Sequence, residues 1–187
     1  MGSVSTDPGV STPDSVRLAL PHEGASIASV QRRSWQQTLP AEVAESLWRS
    51  VDLDAMTQSW ESAIMRPPLA ELRVLVAVNA EGRVVGFAAV GPSDDPDAEP
   101  GEDALVAEFV VDPSAQRQGH GSRLLNAVAD TLRADGFTRA TWWVRSIDDV
   151  TRRFVTESGW EADGAHQEVE TPDEAARVKM VRLHTAL

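Results

Sequence analysis

The sequence contains no cysteine and no tyrosine, and basic side chains are scarce among its 187 residues. Without cysteine, this chain forms no disulfide, no thiolate metal site and no cysteine nucleophile. Without tyrosine, its chemistry uses no phenol of its own. The balance of 17 Lys and Arg residues against 29 Asp and Glu residues gives a formal net charge of −12. This charge speaks against general nucleic-acid binding, which needs a basic face, and it favours cationic partners.

Long hydrophobic runs are also missing. No apolar stretch approaches the roughly 20 residues that a membrane helix needs, and no secretory signal opens the sequence, so we expect a cytoplasmic protein that does not contact membranes. No His, Asp or Glu residues have the spacing of a metal site, and we expect no metal. Residues 1–15 are rich in Ser, Thr, Pro, Gly and Asp. They predict a disordered tail before a single domain over residues 16–187.

The hydrophobic pattern predicts a mixed α/β domain with one sheet. Strands are predicted at residues 16–20, 72–78, 84–90, 104–111, 138–144, 160–169 and 178–183. Helices are predicted at residues 25–37, 41–48, 54–65, 121–135 and 149–158. The strand at 104–111 is almost continuously apolar, as in a strand covered on both faces. The acidic loop before it, residues 92–103, is either a solvated connection or a surface that attracts cations. Its carboxylates are Asp94, Asp95, Asp97, Glu99, Glu102 and Asp103.

The most informative segment joins the strand at 104–111 to the helix at 121–135. It reads Gln116-Arg117-Gln118-Gly119-His120-Gly121. The first N–H groups of a helix lack internal partners and lie at the positive end of its dipole, which suits phosphate. Gly119 and Gly121 let the backbone approach a ligand, while Arg117 and Arg123 add positive charge. Leu124 stands where a dinucleotide-binding fingerprint needs a third glycine, and a P-loop sequence is absent.

Two segments resemble motifs of the GNAT superfamily of acyl-CoA-dependent N-acetyltransferases. Residues 116–121 match its Gln/Arg-x-x-Gly-x-Gly/Ala motif, and residues 153–160 are similar to its helix ending in Phe-Tyr-Glu-x-x-Gly-Phe. The order of elements fits from about residue 16 to residue 183. The resemblance implies a single domain of the α/β class, α+β type, with a mixed central sheet of about seven strands flanked by helices. That sheet would splay between strands 4 and 5, and acetyl-CoA would lie in the opening.

The resemblance also implies which residues hold acetyl-CoA, the expected co-substrate. The backbone of residues 109–111 would pair with the pantetheine arm, and an N–H group near Val111 would polarise the acetyl carbonyl. The N–H groups of residues 117–122 would meet the pyrophosphate. Asp148 stands where the family frequently has asparagine. The full set of predicted cofactor-binding residues is Phe109, Val110, Val111, Gln116, Arg117, Gln118, Gly119, His120, Gly121, Ser122, Arg123 and Asp148.

The activity that the resemblance implies is direct attack by a primary amine, of a small molecule or a peptide, on the thioester in a ternary complex. A base must take the amine proton. Glu108 is the candidate, because it interrupts an apolar strand where burial could raise its pKa. Alternatively, Glu108 is a strand-end carboxylate paired with an arginine. Glu102 and Asp103 are other candidate bases, and His166 could line the amine pocket.

One position departs from the family pattern. Val155 stands where the family commonly has a tyrosine that protonates the leaving thiolate. Water or Ser146 could serve instead, since a thiol with a reference pKa of about 8.5 leaves readily enough. The departure also suits a second function, a non-catalytic acyl-CoA-binding sensor or interaction module. The identity of the amine stays open, and an edge strand near the C-terminus could pair in a homodimer.

Overall fold

The strands and helices follow the hydrophobic pattern of the sequence. The computed structural model describes residues 14–187, so the predicted tail lies outside the described residues except at its end, where Ser15 already belongs to the first strand. Within this part of the chain, no helix is both long enough and apolar enough to cross a bilayer. The strands are β1 (Ser15–Leu18), β2 (Arg73–Val78), β3 (Val84–Pro92), β4 (Asp103–Val111), β5 (Arg139–Arg145), β6 (Glu161–Glu170) and β7 (Arg177–Ala186). The helices are α1 (Gly24–Thr38), α2 (Ala41–Ser50), α3 (Leu53–Met65), α4 (His120–Ala134) and α5 (Asp149–Glu157).

The seven strands form one mixed sheet in the order β1-β2-β3-β4-β5-β7-β6. Strands β4 and β5 run parallel, and every other neighbouring pair is antiparallel. Helices cover both faces: α1 and α3 pack over one, and α4 lies against the other. The predicted fold class, a mixed seven-stranded sheet flanked by helices, is confirmed.

The sheet opens between β4 and β5. Only residues 103–106 of β4 pair with β5, although β4 continues to Val111 and β5 to Arg145. At the same place β4 bulges: Val106 lies opposite Val90 and Glu108 opposite Ala89, so one extra residue stands between them. A bulge bends its strand and increases the local twist. The second half of β4 therefore turns away from β5, which is the predicted splay.

The amphipathic pattern of α4 explains how the helix is held. Its buried side chains recur at helical spacing and join a core cluster on one face of the sheet. Those side chains are Leu124, Leu125, Val128 and Leu132. A second cluster, formed around Ile27, Val30 and Phe87, packs between α1 and the opposite face. Strand β4 is thereby fixed from both sides, with its splayed end presented between the helices.

The acidic loop between β3 and β4 is fastened to the far side of the sheet. Arg182 on β7 has a nearly buried side chain that bonds Asp97 at 2.6 Å and Asp95 at 3.2 Å. The indole nitrogen of Trp143 also donates to Asp95, at 3.0 Å. Asp103 pairs with Arg139 at 3.5 Å. Three of the six loop carboxylates therefore pair with arginines of the fold itself, so the loop is more than a solvated connection, and only its other carboxylates are free of these arginines and available to attract cations.

Candidate active site

A cleft of about 630 Å³ occupies the opening between β4 and β5. Its walls are the end of α1, the second half of β4, the turn before α4 and the start of α5. Most residues predicted to hold acetyl-CoA line this one cavity. They are Phe109, Val110, Val111, Gln116, Arg117, Gly119, Gly121, Ser122 and Asp148.

The turn before α4 presents free backbone donors to the cleft. Gly119 is the N-cap residue with φ +84°, and no side chain caps the helix at this end. Arg117 also has a positive φ, of 60°. The first intrahelical bond runs from the N–H of Arg123 to the carbonyl of Gly119, so the N–H groups before it have no helical acceptor. This is the arrangement that binds phosphate at a helix N-terminus.

The splayed half of β4 also carries backbone groups that face the opening. The N–H of Asp112 donates to the carbonyl of Val85 at 2.8 Å, so it points towards β3. Backbone groups alternate in direction along a strand, so the N–H of Val110 faces β3 as well. Those of Phe109 and Val111 face the other way, where β5 has already turned aside. An extended ligand in the cleft would find backbone partners there.

Three predicted cofactor residues brace the turn instead of lining the cleft. His120 is buried, with Nε2 3.9 Å from a carboxylate oxygen of Asp14. Arg123 folds back to the same carboxylate at 3.3 Å and to the carbonyl of Gln118 at 3.4 Å. The amide of Gln118 donates to the carbonyl of Ser114 at 3.3 Å. The side chains of these residues contact Asp14 and the turn itself, so their predicted role in cofactor binding stays a prediction that concerns their backbone N–H groups.

Glu108 lies on the α1 face of β4, together with Val110 and opposite the face of Phe109. Burial raises the pKa of Glu108 to about 7. Its Oε1 accepts a hydrogen bond from Nε2 of Gln31 at 3.3 Å. The contacting group is therefore an amide and not the arginine of the alternative interpretation. A half-buried carboxylate with this pKa can accept and release a proton near neutral pH.

The other proton-transfer candidates lie elsewhere. Asp103, at the start of β4, pairs with Arg139 and accepts from the N–H of Glu99 at 3.0 Å. Glu102 precedes it in the loop, at the end of β4 that remains paired with β5. His166 is exposed on β6, with its ring 3.3 Å from the carbonyl of Gly164. Ser146 follows β5 outside the cleft, and its N–H donates to the carbonyl of Lys179.

Arg145 lines the cleft, although no sequence motif predicts a role for it. Its Nη2 bonds Asp148 at 2.6 Å, and its Nη1 donates to the carbonyl of Thr38 at 2.6 Å. Asp148 also caps α5 by accepting from the N–H of Thr151 at 3.0 Å. One arginine thus joins the end of α1 to the start of α5 at the edge of the cleft. Opposite charges three residues apart, at Arg145 and Asp148, are the sequence feature that could have predicted this ion pair.

The position of the missing tyrosine does not face the cleft. Val155 is fully buried in the core cluster that contains Leu124 and Trp160. Phe154 is the neighbouring residue that lines the cleft, and its ring packs near Phe109 with centroids 6.1 Å apart. Among residues 14–187, no three His, Asp or Glu side chains are grouped to hold a metal ion. The cleft therefore has a backbone anion site, and Asp148, Asp149 and Glu157 are the carboxylates that line it. Glu108 is outside this lining, on the strand that forms one wall of the cleft.

Comparison with known proteins gives one family. A model of the Acetyltransferase (GNAT) family matches residues 35–160, well over half of the chain. No protein in a search of curated proteins matches the sequence.

Solved structures resemble the chain over almost its whole length. The ribosomal-protein-alanine N-acetyltransferase of Brucella melitensis is 20% identical, with a TM-score of 0.71 over 92% of this chain and 99% of that one. The protein yncA of Salmonella typhimurium, solved with its cofactor acetyl-CoA, is 20% identical with a TM-score of 0.70 over 94% and 95%. A GCN5-related N-acetyltransferase from Kribbella flavida is 21% identical, with a TM-score of 0.69 over 93% and 98%. These similarities establish the shared fold.

Proposed function

The chain belongs to the GNAT family of acetyltransferases, and on that basis we propose that it transfers the acetyl group of acetyl-CoA to a primary amine. The acceptor is a small molecule or a peptide, and it attacks directly in a ternary complex. The observation that carries the proposal is the cleft at the β4–β5 opening, which has a backbone anion site at one wall and borders the strand of Glu108.

The residues of the cleft suit an acyl-CoA molecule. The uncapped start of α4, with Arg117 and Ser122 beside it, suits the pyrophosphate. The outward N–H groups of Phe109 and Val111 suit an extended pantetheine arm and a polarised carbonyl oxygen. Gly121 lines the passage beside the ring of Phe154, so no side chain projects from this position towards the ligand. Acetyl-CoA supplies an acetyl group activated as a thioester.

Glu108 is the proposed base. An amine is mostly protonated at neutral pH, and only its neutral form attacks a thioester. With a pKa of about 7, Glu108 is ionised in a large fraction of molecules at neutral pH, yet basic enough to hold the proton it receives. Most of the remaining rate enhancement comes from proximity, because the cleft holds the acetyl donor and the amine acceptor in one orientation.

The leaving thiolate takes its proton from water or, less directly, from Ser146. The buried side chain of Val155 provides no acid, and Phe154 beside it is apolar. Because acid catalysis typically contributes about 10²–10⁴-fold, its absence slows the reaction without preventing it. The same feature supports the second candidate function, an acyl-CoA-binding sensor or interaction module without turnover.

The proposed acceptor is cationic, in keeping with the net charge of −12 and with the loop carboxylates that Arg182 and Arg139 leave unengaged. We further propose a cytoplasmic protein that binds neither nucleic acid nor membranes. The exposed edge strand β6, which pairs only with β7 in the described sheet, is the proposed contact if the chain forms a homodimer.

Two measurements test the function. Calorimetry should show acetyl-CoA binding, and an amine panel should release free thiol in the presence of acetyl-CoA. Binding without thiol release from any amine would favour the sensor, and absence of binding would contradict both functions.

A matched pair of variants tests the base. Glu108→Gln should abolish the acidic limb of the pH profile of kcat/KM and lower activity by about 10²-fold or more. Glu102→Gln, which removes a carboxylate of the neighbouring loop, should leave the profile unchanged. An unchanged profile in Glu108→Gln would remove Glu108 from the mechanism.

A further inference from the structure

A chain of hydrogen bonds runs from α3 through α1 to Glu108. The indole Nε1 of Trp60 donates to Oε1 of Gln31 at 2.9 Å. The Nε2 of Gln31 donates to Oε1 of Glu108 at 3.3 Å. Gln31 has a polar side chain, yet it is only 7% exposed and lies on the helix face that packs on the sheet. A buried amide on an apolar face has a cost unless both of its ends are bonded, and here both are.

Trp60 determines which way the Gln31 amide points. An indole nitrogen can only donate, so the atom of Gln31 that faces it must be the carbonyl oxygen. The opposite orientation would bring two N–H groups together. The NH₂ group is therefore directed at Glu108, and Trp60 is itself held by edge-on packing against Phe87 with centroids 5.1 Å apart.

We propose that Gln31 is a positioning residue for Glu108, and that Trp60 acts through it by fixing the direction of its amide. This inference rests on the proposed function, in which Glu108 takes the amine proton. The bond from Gln31 engages Oε1 and restrains rotation of the carboxylate, which leaves Oε2 for the acceptor. One proton then moves from the ammonium nitrogen to Oε2, and the neutral nitrogen forms the N–C bond with the thioester carbon. The C–S bond breaks with its electron pair on sulfur, and a second proton of the nitrogen passes through water to the thiolate.

The charged side chains of the helices on this face of the sheet contact groups other than Glu108. On α1, Arg33 pairs with Asp112 at 2.6 Å, and Arg32 stacks on Trp48 at 3.6 Å from the ring centre. On α3, Glu61 lies against Gly24 at the start of α1.

On the other described elements near Glu108, the charged side chains are also bonded to other groups. On β3, the residue opposite Glu108 is Ala89. On β5, Arg145 bonds Asp148 and Thr38, and on α4, Arg123 turns to Asp14 on the other face of the sheet. Among the described residues, the Gln31 amide is thus the side chain that donates a hydrogen bond to Glu108.

The direct test is the titration of Glu108 in the whole protein, followed by NMR of ¹³C-labelled glutamate carboxyls and assigned with Glu108→Gln. Gln31→Met keeps the length of the side chain and removes the donor. It should raise the pKa of Glu108 by about one unit, because a hydrogen bond to the charged form is lost. The matched control is Gln36→Met, an exposed glutamine on the same helix, which should leave the titration unchanged.

Trp60→Phe gives a second test that keeps an aromatic ring against Phe87. It should shift the titration of Glu108 in the same direction but by less, since Gln31 remains and only its orientation is released. In the Gln31→Met background, Trp60→Phe should add nothing further to the titration. In active protein, the acidic limb of kcat/KM should move by the same amount as the titration, with acetyl-CoA affinity unchanged.

The outcomes separate this inference from the proposed function. If Gln31→Met and Trp60→Phe both leave the titration of Glu108 in place, in protein that is folded by circular dichroism, the positioning role is refuted. If the titration moves as expected while kcat/KM does not follow it, Gln31 still positions Glu108, and it is the role of Glu108 as base that fails.

Discussion

Arg33 on α1 donates two hydrogen bonds to a single carboxylate oxygen of Asp112, from Nε at 2.9 Å and from Nη2 at 2.6 Å. The other oxygen of Asp112 accepts from the N–H and the hydroxyl of Ser114, at 3.0 and 2.7 Å. Asp112 follows the last residue of β4 and begins the turn to α4. One carboxylate therefore connects α1, the end of β4 and the wall of the cleft.

Asp112→Ala should destabilise the protein by about 1–3 kcal/mol, because the turn loses its cap and Arg33 loses its partner. Chemical denaturation measures this change. The matched control is Asp130→Ala, which removes an exposed ion pair with Arg133 and should cost less than about 0.5 kcal/mol. Equal effects of the two substitutions would contradict a structural role for the Asp112 bonds.

What could be predicted from the sequence was local. Several features each predict the structure of the residues next to them, and those elements are present in the structure. They are the glycines at 119 and 121, the apolar face of α4 and the glycine at 159 that ends α5. The interruption of an apolar strand by Glu108 was also a local signal.

The contacts of the site could not be predicted in the same way. Gln31 lies 77 positions from Glu108 in the sequence, and helical periodicity only assigns it to a face. No residue type in the apolar sequence of β4 indicates the bulge, although the bulge determines where the sheet opens. The family motif drew attention to Val155, but the packing of α5 turns that side chain into the core.

Arg182 should make stability depend on acid pH. Hydrogen bonding from Arg182 holds the pKa of Asp97 at about 2. Burial alone would raise the pKa of Asp163. The hydrogen bonds from Ala165 and Arg182 outweigh this effect, and the pKa is lowered. Carboxylates with lowered pKa values contribute stability above their unfolded values, and this is lost as the pH falls through the folded values. Stability should therefore decline as the pH falls from about 4 towards about 2.

Arg182→Gln should weaken this dependence, while the hydrogen bond from the N–H of Ala165 still lowers the pKa of Asp163. At neutral pH it should cost about 1–3 kcal/mol, since the partly buried carboxylates of Asp95 and Asp163 lose a charged hydrogen-bond donor. The difference in free energy of unfolding between Arg182→Gln and the parent protein should shrink below about pH 4. Arg177→Gln on the same strand breaks only an exposed pair with Glu170 and should have little effect. A difference that stays constant from pH 7 to pH 2 would contradict this account.

Gly119→Glu should abolish acetyl-CoA binding in calorimetry, because it strains a backbone at φ +84° and adds negative charge to the anion site. Gly136→Glu offers a matched comparison at the other end of α4. Its φ is +93°, and nothing lies within 4 Å of an added Cβ. Both variants should lose about 1 kcal/mol of stability. Only Gly119→Glu should lose acetyl-CoA binding. If Gly119→Glu kept its affinity for acetyl-CoA, the phosphates would bind elsewhere.

Asp148→Asn should tighten acetyl-CoA binding by about 2- to 5-fold at low salt, because it removes a negative charge from a cleft that receives phosphates. The asparagine oxygen can still cap α5 through the N–H of Thr151, so stability should fall by less than about 1 kcal/mol. The gain in affinity should shrink as salt is added. Asp130→Asn, on α4 outside the cleft, is the control. Weaker binding in Asp148→Asn would mean that its ion pair with Arg145 is needed to hold the cleft walls.

Val155→Tyr, which restores the family residue, should destabilise the protein instead of speeding the reaction. Val155 is fully buried, and a larger side chain with a hydroxyl overfills the core and leaves a polar atom there, at a cost of at least about 2 kcal/mol. Val150→Tyr makes the same substitution on the same helix at a site that is 77% exposed, and its stability should stay within about 0.5 kcal/mol of the parent. Thermal unfolding and thiol release measure the two consequences. A stable Val155→Tyr protein with faster thiol release would show that the tyrosine reaches the cleft and that acid assistance limits turnover.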